Sequence, residues 1–258
     1  MEKVLYLVNA AAGTSGESLR ERLVADAAPR LLAAGAHHVQ VNAMDSDVEA
    51  AAGFRLRSGS GPCPDAIVST WIDSANAPLR AAFDDVVREV DADVVAYLVT
   101  ESLPLPGAQV TGRRPGYTQV SFLQRPGRVG ERAWMEHWHD RHTQVAIDTQ
   151  ATSRYVQNLV VRPLTPDAPP CTAVVEETFP EEAMTDQSVF FDAVGDDARR
   201  QANAETLMAS VQAFLDFDLI DVVPTSEYAV SSTWLRRSTR RGPRGDRAPG
   251  RRGSARRG

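Results

Sequence analysis

Long apolar runs are absent from this chain of 258 residues. No stretch approaches the ~20 apolar residues that a membrane-spanning helix needs, and the opening stretch MEKVLYLVN is too short an apolar run for a secretory signal. The composition, 43% hydrophobic and 24% charged, is typical of a globular protein in water. We therefore expect a cytoplasmic protein without a membrane partner.

Cysteine and lysine are also scarce. Cys63 and Cys171 are the two cysteines, and Lys3 is the single lysine. Because no secretion is expected, a disulfide is not expected either, and both cysteines are predicted to be reduced thiols with a structural role.

Motifs for the common cofactors are missing as well. The sequence has no G-x-G-x-x-G, no P-loop, no G-x-S-x-G and no Cys/His spacing of the kind that binds a metal ion. A tightly bound nucleotide is therefore not expected, and the sequence predicts no cofactor.

Charge is divided unevenly along the chain. Residues 236–258 contain ten of the 28 basic residues and one of the 34 acidic residues, so this tail carries +9 and the remainder −15. The tail has no apolar residue beyond alanine and is predicted to be disordered. Without interleaved aromatic residues it does not indicate a nucleic-acid partner.

A segment rich in tryptophan and histidine begins at Trp134. Three of the five histidines and two of the four tryptophans fall within nine residues. At about 100° per residue a helix here is amphipathic. One face holds Trp134, Val145, Trp138, His142, Met135 and Ala146, and the other holds Glu136, Asp140, His137 and Asp148. His142 is expected to point inward, His139 to lie at the edge and His137 to lie in water.

An inward imidazole at His142 has three interpretations. It could be a core histidine satisfied by backbone or hydroxyl groups, or an acid/base group in a ligand pocket. A metal site would need His137 and His139 as well. On a regular helix His137 points about 160° away from His142, so no metal site is predicted.

The same residues resemble a known family. Trp138 is followed four residues later by His142, and then by the sequence RYVQN at 154–158. This combination resembles the EthD domain, whose signature runs W-x-x-x-H-G-P-L and then R-Y-x-Q-N. Val174-Val175-Glu176 and, later, Phe179 are similar to the family's V-A-E-L-W-F strand.

The resemblance covers roughly residues 116–230, with two departures. Thr143-Gln144 stands where the family usually has Gly-Pro, and Glu177-Thr178 replaces Leu-Trp. The resemblance implies an association with the oxidative degradation of small organic compounds. Relatives with the same barrel include cofactor-free monooxygenases, polyketide cyclases, isomerases and haem enzymes.

Hydrophobic periodicity predicts the same order of elements twice. The first half has predicted strands at 3–9, 37–44, 65–73 and 93–101 and helices at 15–34 and 76–90. The second half has predicted strands at 117–124, 153–161, 171–179 and 222–230 and helices at 130–148 and 181–214, the last with a break near Gly195. Each half is thus a ferredoxin-like βαββαβ unit.

The predicted division of the chain follows from this order. It comprises a first ferredoxin-like repeat at 1–103, a linker rich in proline and glycine at 104–116, an EthD-like second repeat at 117–235, and the tail at 236–258. Leu19, Leu23 and Ala27 occupy the helical phase of Trp134, Trp138 and His142. We therefore expect the first repeat to have kept the fold and lost the site.

Two such repeats resemble the dimeric α+β barrel superfamily, in which eight strands from two units close a barrel and helices cover its outside. The predicted fold class is α+β, with two tandem ferredoxin-like repeats forming one barrel within the chain. The expected assembly is a monomer with an internal pseudo-dimer, or a homodimer.

Polar residues of the neighbouring strands complete the predicted site. The predicted catalytic residues are His142, as acid/base, and Glu176, which would orient or tune the imidazole. The predicted substrate-binding residues are Trp134, Trp138, Tyr155 and Asn158. The other interpretation is that Tyr155 and Asn158 cap strand ends and that Glu176 is exposed.

Such a set of groups suits enolisation, dehydration, cyclisation or oxygenation of an aromatic enolate. The predicted function is an EthD-domain, oxidoreductase-associated enzyme acting on a small hydrophobic carbonyl or aromatic compound. The alternatives are a non-catalytic carrier of a small hydrophobic ligand, and a lyase of the polyketide-cyclase or dehydratase kind.

Overall fold

The computed structural model describes residues 1–90 and 92–230. Nine strands lie in this part of the chain. They are β1 (Glu2–Ala10), β2 (His38–Ala43), β3 (Ala66–Ile72), β4 (Ala92–Leu105), β5 (Gly112–Arg113), β6 (Tyr117–Leu123), β7 (Arg154–Pro163), β8 (Ala173–Phe179) and β9 (Ile220–Val230).

Two long helices each contain a π-helical turn. Helix α1 consists of Gly16–Glu21, the π segment Arg22–Ala27 and Ala28–Ala33, and helix α3 of Glu131–His137, the π segment Trp138–His142 and Thr143–Thr149. The other helices are α2 (Ala77–Arg88), α4 (Gln187–Phe190) and α5 (Asp197–Phe214). Short 3-10 helices span Ser46–Phe54, Glu181–Met184 and Phe217–Leu219. The single broken helix expected at 181–214 is therefore three separate pieces.

The strands form a closed antiparallel barrel. The order is β2-β3-β1-β4-β7-β8-β6-β9, and β9 pairs with β2 to close the ring. Each half contributes four strands in the same order, and the halves meet where β4 pairs with β7 and β2 with β9. The predicted fold, two ferredoxin-like units closing one barrel within the chain, is confirmed. Closure also leaves no free edge on the eight strands.

Alternation along the strands separates the barrel interior from its outer surface. In β1, Val4 and Tyr6 belong to a core that includes residues of α1 and α2. Leu5 and Leu7 belong instead to a cluster with strand residues of both halves, among them Phe122. Because this second cluster includes side chains from facing strands and none from the helices, it lies inside the barrel.

Two of the observed strands bear on the predicted linker at 104–116. Strand β4 continues to Leu105, past the boundary placed after residue 103, and the predicted linker contains β5. The tail at 236–258 lies outside the described residues. In the part of the chain that is described, each helix is too short or too polar to cross a lipid bilayer.

Candidate functional site

The π turn of α3 determines where its histidines point. The N–H of Thr143 donates to the carbonyl oxygen of Trp138, five residues earlier, as in a π helix. Residues five apart therefore lie above one another on the same side of the helix. His137 and His142 are such a pair. A regular helix, with 100° per residue, would place them on opposite sides.

Both imidazoles meet helix α5 at Ser210. The Nδ1 atom of His142 lies 3.0 Å from the Ser210 hydroxyl oxygen, and the Nε2 atom of His137 lies 3.0 Å from the Ser210 carbonyl oxygen and 3.4 Å from its hydroxyl. Both rings also pack against Phe214, with centroids 5.1 Å (His137) and 4.8 Å (His142) from its ring. His137 is thus half-buried, and the expectation that it lies in water is wrong.

A cavity of about 320 Å³ lies between α5 and the outer surface of the second-half sheet. This volume is in the range of roughly 300–1,000 Å³ that small-molecule sites occupy. His142 and Trp138 of α3 and Tyr155 of β7 are on its wall. Three of the six predicted site residues therefore meet at one cavity.

The sheet side of this cavity carries polar side chains between apolar ones such as Leu123 and Val222. Gln119 and Ser121 of β6 lie beside Glu177 and Val175 of β8, and Tyr155 of β7 lies across from Glu177 on its other side. Cross-strand partners point to the same surface of a sheet, so these side chains form a continuous wall. Glu177 is at its centre.

The helix side of the cavity is apolar. Leu207, Met208, Val211 and Leu215 come from α5 and its end, and are joined by Phe190, Phe191 and Phe217. Met208 and Phe217 are both lining residues and large exposed apolar side chains, 43% and 47% accessible. They mark the opening of the cavity to solvent, where an apolar ligand gains from leaving water.

His142 is held in its neutral form. Burial lowers the pKa of its imidazole to about 4, and the nearby His137 adds to this shift. Among the described residues its Nε2 atom has no hydrogen-bond partner. Since the Ser210 hydroxyl can donate to Nδ1 or accept from it, either tautomer is satisfied, and Nε2 can meet a ligand as donor or as acceptor.

Glu177 is the functional candidate that the sequence interpretation did not select. Its side chain is 8% exposed, and no atom of the described residues hydrogen-bonds its Oε1. Burial raises the pKa of its carboxyl group to about 7. In the sequence, Glu177 stands out only as a departure from the pattern of the EthD family. Its alternation with Val175 in β8, on the same surface as Tyr155, is the signal that could have found it.

Glu176 and Asn158 lie elsewhere. Their side chains point into the barrel, where Asn158 donates to Glu176 at 3.0 Å. Neither lines the cavity of His142, because neighbouring residues of a strand point to opposite sides of the sheet. The prediction that both residues lie beside His142 is therefore corrected. From inside the barrel, Glu176 is not placed to tune the imidazole of His142.

Inside the barrel, Glu176 belongs to an ionic network that joins the two halves. It accepts from Lys3 at 3.1 Å, from Gln40 at 2.7 Å and from Arg154 at 3.3 Å. Burial by itself would raise the pKa of Glu176, but the charges of Lys3 and Arg154 outweigh it and hold the pKa well below its usual value. The interpretation of Glu176 as an exposed residue is also wrong.

Trp134 supports the site from behind. Its ring lies 5.0 Å from that of Trp138 and 5.9 Å from that of Phe214, and it is fully buried without lining the cavity. Leu23 and Ala27, which stand in the first half where Trp138 and His142 stand in the second, are fully buried in a hydrophobic core.

Within residues 1–90 and 92–230, no group of three His, Cys, Asp or Glu side chains could hold a metal ion.

Comparisons with known proteins bear on the second half of the chain and on the fold. The family model of the EthD domain matches residues 128–218, which contain α3, β7, β8 and α5. No curated protein is significantly similar in sequence. Among solved structures, an anthrone oxidase-like protein has a TM-score of 0.54 at 10% identity, with 89% of this chain and 91% of that chain covered. A chlorite dismutase-like protein has a TM-score of 0.42 at 11% identity, with 90% and 96% covered. At such identities the similarity concerns the fold alone.

Proposed function

Because the second half of this chain carries an EthD domain in a dimeric α+β barrel fold, we propose that the protein is an oxidoreductase-associated enzyme. Its substrate is a small hydrophobic carbonyl or aromatic compound, and His142 is the acid/base group. The observation that carries the proposal is the buried, neutral imidazole of His142 on the wall of a cavity that is apolar on its helix side.

The two walls of the cavity indicate the kind of ligand. The apolar wall on α5 suits a ring or an alkyl skeleton, whereas the polar wall on β6, β7 and β8 suits an oxygen function at one edge of the ligand. Among residues 1–90 and 92–230, no Lys or Arg lines the cavity, so an anionic group on the ligand would find no counter-charge from this part of the chain. A neutral ketone, enol or phenol fits both walls.

His142 can exchange a proton with such an oxygen. A neutral imidazole at neutral pH can donate a hydrogen bond from Nε2 to a carbonyl oxygen, and can stabilise the charge that develops on this oxygen as an enolate forms. Tyr155 and Trp138 lie around the same space. The geometry supports proton transfer, and the association with oxidation rests on the resemblance to the family.

The proposal can be tested with 2-tetralone, a flat and neutral ketone whose α-hydrogens exchange with deuterium from D2O through the enol. We expect wild-type protein to accelerate this exchange above the buffer rate, as followed by NMR. His142→Gln should reduce the protein-dependent rate by about 10²–10⁴-fold, the usual contribution of a general acid/base. His37→Gln is the matched control, because His37 is exposed in the first half.

Two outcomes would contradict the proposal, and the second distinguishes a carrier. Equal rates for wild type and the correctly folded His142→Gln variant would show that His142 takes no part in the reaction. A wild-type protein that leaves the buffer rate unchanged would contradict catalysis. If such a protein still binds 2-tetralone, and His142→Gln weakens binding by only ~0.5–1.5 kcal/mol, the carrier function holds instead.

The partner, the location and the assembly expected from the sequence also belong to the proposal. We propose a small hydrophobic organic ligand as the partner, a cytoplasmic location, and a monomer with an internal pseudo-dimer or a homodimer as the assembly. A lyase of the cyclase or dehydratase kind would use the same proton transfers at His142 and would differ in the bond that breaks afterwards.

A further inference from the structure

The carboxyl group of Glu177 is an unusual feature of the cavity wall. It is 8% exposed, it lines the cavity, and its Oε1 has no hydrogen-bond partner in the described part of the chain. Buried polar side chains in proteins are nearly always hydrogen-bonded. An unpaired one is destabilising, so a purely structural role gives no reason to keep this carboxyl group.

In the described part of the chain, no basic side chain compensates the charge of Glu177. Its cross-strand neighbours are Tyr155 and Gln119. The titratable groups that face it are the phenols of Tyr117 and Tyr155, each with a pKa raised by burial, and the imidazole of His142 across the cavity. The cavity-lining residues of the described chain include no Lys or Arg. The carboxyl group therefore faces a space that a ligand can fill.

Glu176 shows what this chain does with a carboxyl group that is structural. One residue earlier in β8, Glu176 receives hydrogen bonds from Lys3, Gln40, Arg154 and Asn158. Both glutamates are buried to a similar extent, 3% and 8% exposed. Glu176 is therefore a carboxylate held by side chains inside the barrel. Glu177 faces the cavity, and its Oε1 has no hydrogen-bond partner among the described residues.

We propose that Glu177 is the general base of this cavity, and that its substrate is a neutral, flat, apolar ketone with a hydrogen on the carbon next to the carbonyl group. This inference rests on the proposed function and specifies its substrate class. The Glu177 carboxylate takes the α-hydrogen as a proton. The C–H electron pair becomes the C=C bond of the enolate, and the C=O electron pair moves to the oxygen.

The second half of the reaction returns the proton. The Nε2–H group of His142 donates a hydrogen bond to the enolate oxygen. Protonated Glu177 exchanges its proton with solvent and then delivers a proton to the same carbon, or to another carbon of the conjugated system. The product is the starting ketone or its isomer. Atoms and electrons balance without an oxidant, a reductant or a second substrate.

The environment of Glu177 suits this role. Burial raises the pKa of its carboxyl group to about 7, and a general base works best when its pKa is near the working pH. The rate should therefore rise with pH through about 7, as the carboxylate forms, and level off above it. An anionic ligand would be repelled by the same carboxylate, which restricts the substrate to neutral compounds.

The test compares Glu177→Gln with wild type in deuterium exchange of 2-tetralone, alongside binding of 2-naphthol, which mimics the enol. Glu177→Gln keeps the size of the side chain and removes the base. We expect its exchange rate to fall at least ~100-fold and its dissociation constant for 2-naphthol to change by less than about tenfold. Glu177→Asp, which retains a carboxylate, should keep more activity than Glu177→Gln. Glu181→Gln, at an exposed position outside the cavity, is the control and should match wild type.

The outcomes separate this inference from the proposed function. If His142→Gln loses the exchange activity and Glu177→Gln retains it with no change in pH profile, the inference is overturned and the proposed function stands. If wild type catalyses no exchange, both are overturned. If Glu177→Gln loses exchange and 2-naphthol binding together, Glu177 is a ligand-binding residue and its assignment as the base is overturned.

Discussion

Two adjacent glutamates on β8 have opposite electrostatic surroundings. Glu176 points into the barrel between Lys3 and Arg154, which outweigh the effect of burial and lower the pKa of its carboxyl group. Glu177 points to the cavity, where burial acts alone and raises its pKa to about 7. The stability of the fold should therefore depend on pH in opposite directions at these two positions.

Glu177 should destabilise the fold as pH rises. Its pKa is raised on folding from 4.5 to about 7. Its contribution to the free energy of unfolding is therefore complete below pH 4.5 and is lost as pH rises through 7. This loss amounts to roughly 3 kcal/mol. Urea unfolding should show that Glu177→Gln gains stability relative to wild type between these pH values, with a constant difference above them.

Glu176 should show the reverse dependence. Its pKa is lowered on folding, so its contribution is present above 4.5, the unfolded value, and is lost as pH falls below it. Glu176→Gln should cost roughly 3–5 kcal/mol at pH 7, because Lys3 and Arg154 lose a buried partner. The difference from wild type should shrink in acid. A pH dependence with the same sign for Glu176→Gln and Glu177→Gln would contradict the placement of these residues.

The residue pattern predicted part of this arrangement. His142, Trp138 and Tyr155 were identifiable because a Trp-x-x-x-His spacing and an RYVQN strand carried them together. The choice between Glu176 and Glu177 depends on which surface of β8 faces α3, and a one-residue shift in register inverts that assignment. A single sequence does not determine this register.

At the scale of elements, the π turn of α3 is the decisive feature. It brings His137 and His142, five residues apart, to the same Ser210 on α5. A π turn also occurs in α1, at Arg22–Ala27, so both halves use the same distortion of the corresponding helix. π turns inside α-helices are frequent at functional sites, and here the turn places the Nδ1 atom of His142 at 3.0 Å from the Ser210 hydroxyl oxygen.

Removing the Ser210 hydroxyl tests this geometry. In Ser210→Ala the Nδ1 atom of His142 loses its partner, which should cost roughly 1 kcal/mol of stability. The 15N NMR signals of both imidazoles should shift, because both rings lie within hydrogen-bond reach of this hydroxyl. Thr206→Ala, an exposed hydroxyl on the same helix, should leave both imidazoles unchanged. A shift of the His142 signals alone would indicate a regular helix in solution.

Secondary structure was predictable where periodicity is regular. The strand expected at 3–9 is Glu2–Ala10, and the helix expected at 130–148 spans Glu131–His137 through Thr143–Thr149. The π turn was not predictable, because period analysis assumes a constant rotation per residue. For the same reason the expectation for His137 was wrong while that for His142, next to the apolar stripe, was correct.

At the scale of the whole molecule, the two halves share a topology but differ in the packing between their helices and the sheet. Both contribute four strands in the same order to one barrel. In the first half Leu23 and Ala27 fill the space beneath the helices, whereas α5 in the second half buries only Phe214 fully and leaves a cavity beneath it. The doubled pattern made the barrel predictable. The cavity was not, because it depends on how closely α5 approaches the sheet.

The most direct test of the account is a crystal structure of the protein with 2-naphthol. The account predicts that the rings lie against Leu207, Met208 and Val211, and that the hydroxyl group lies at about 2.6–3.2 Å from the Glu177 carboxyl group or from Nε2 of His142. Rings bound at another surface, or a hydroxyl group that points to solvent with Glu177 still without a partner, would contradict it.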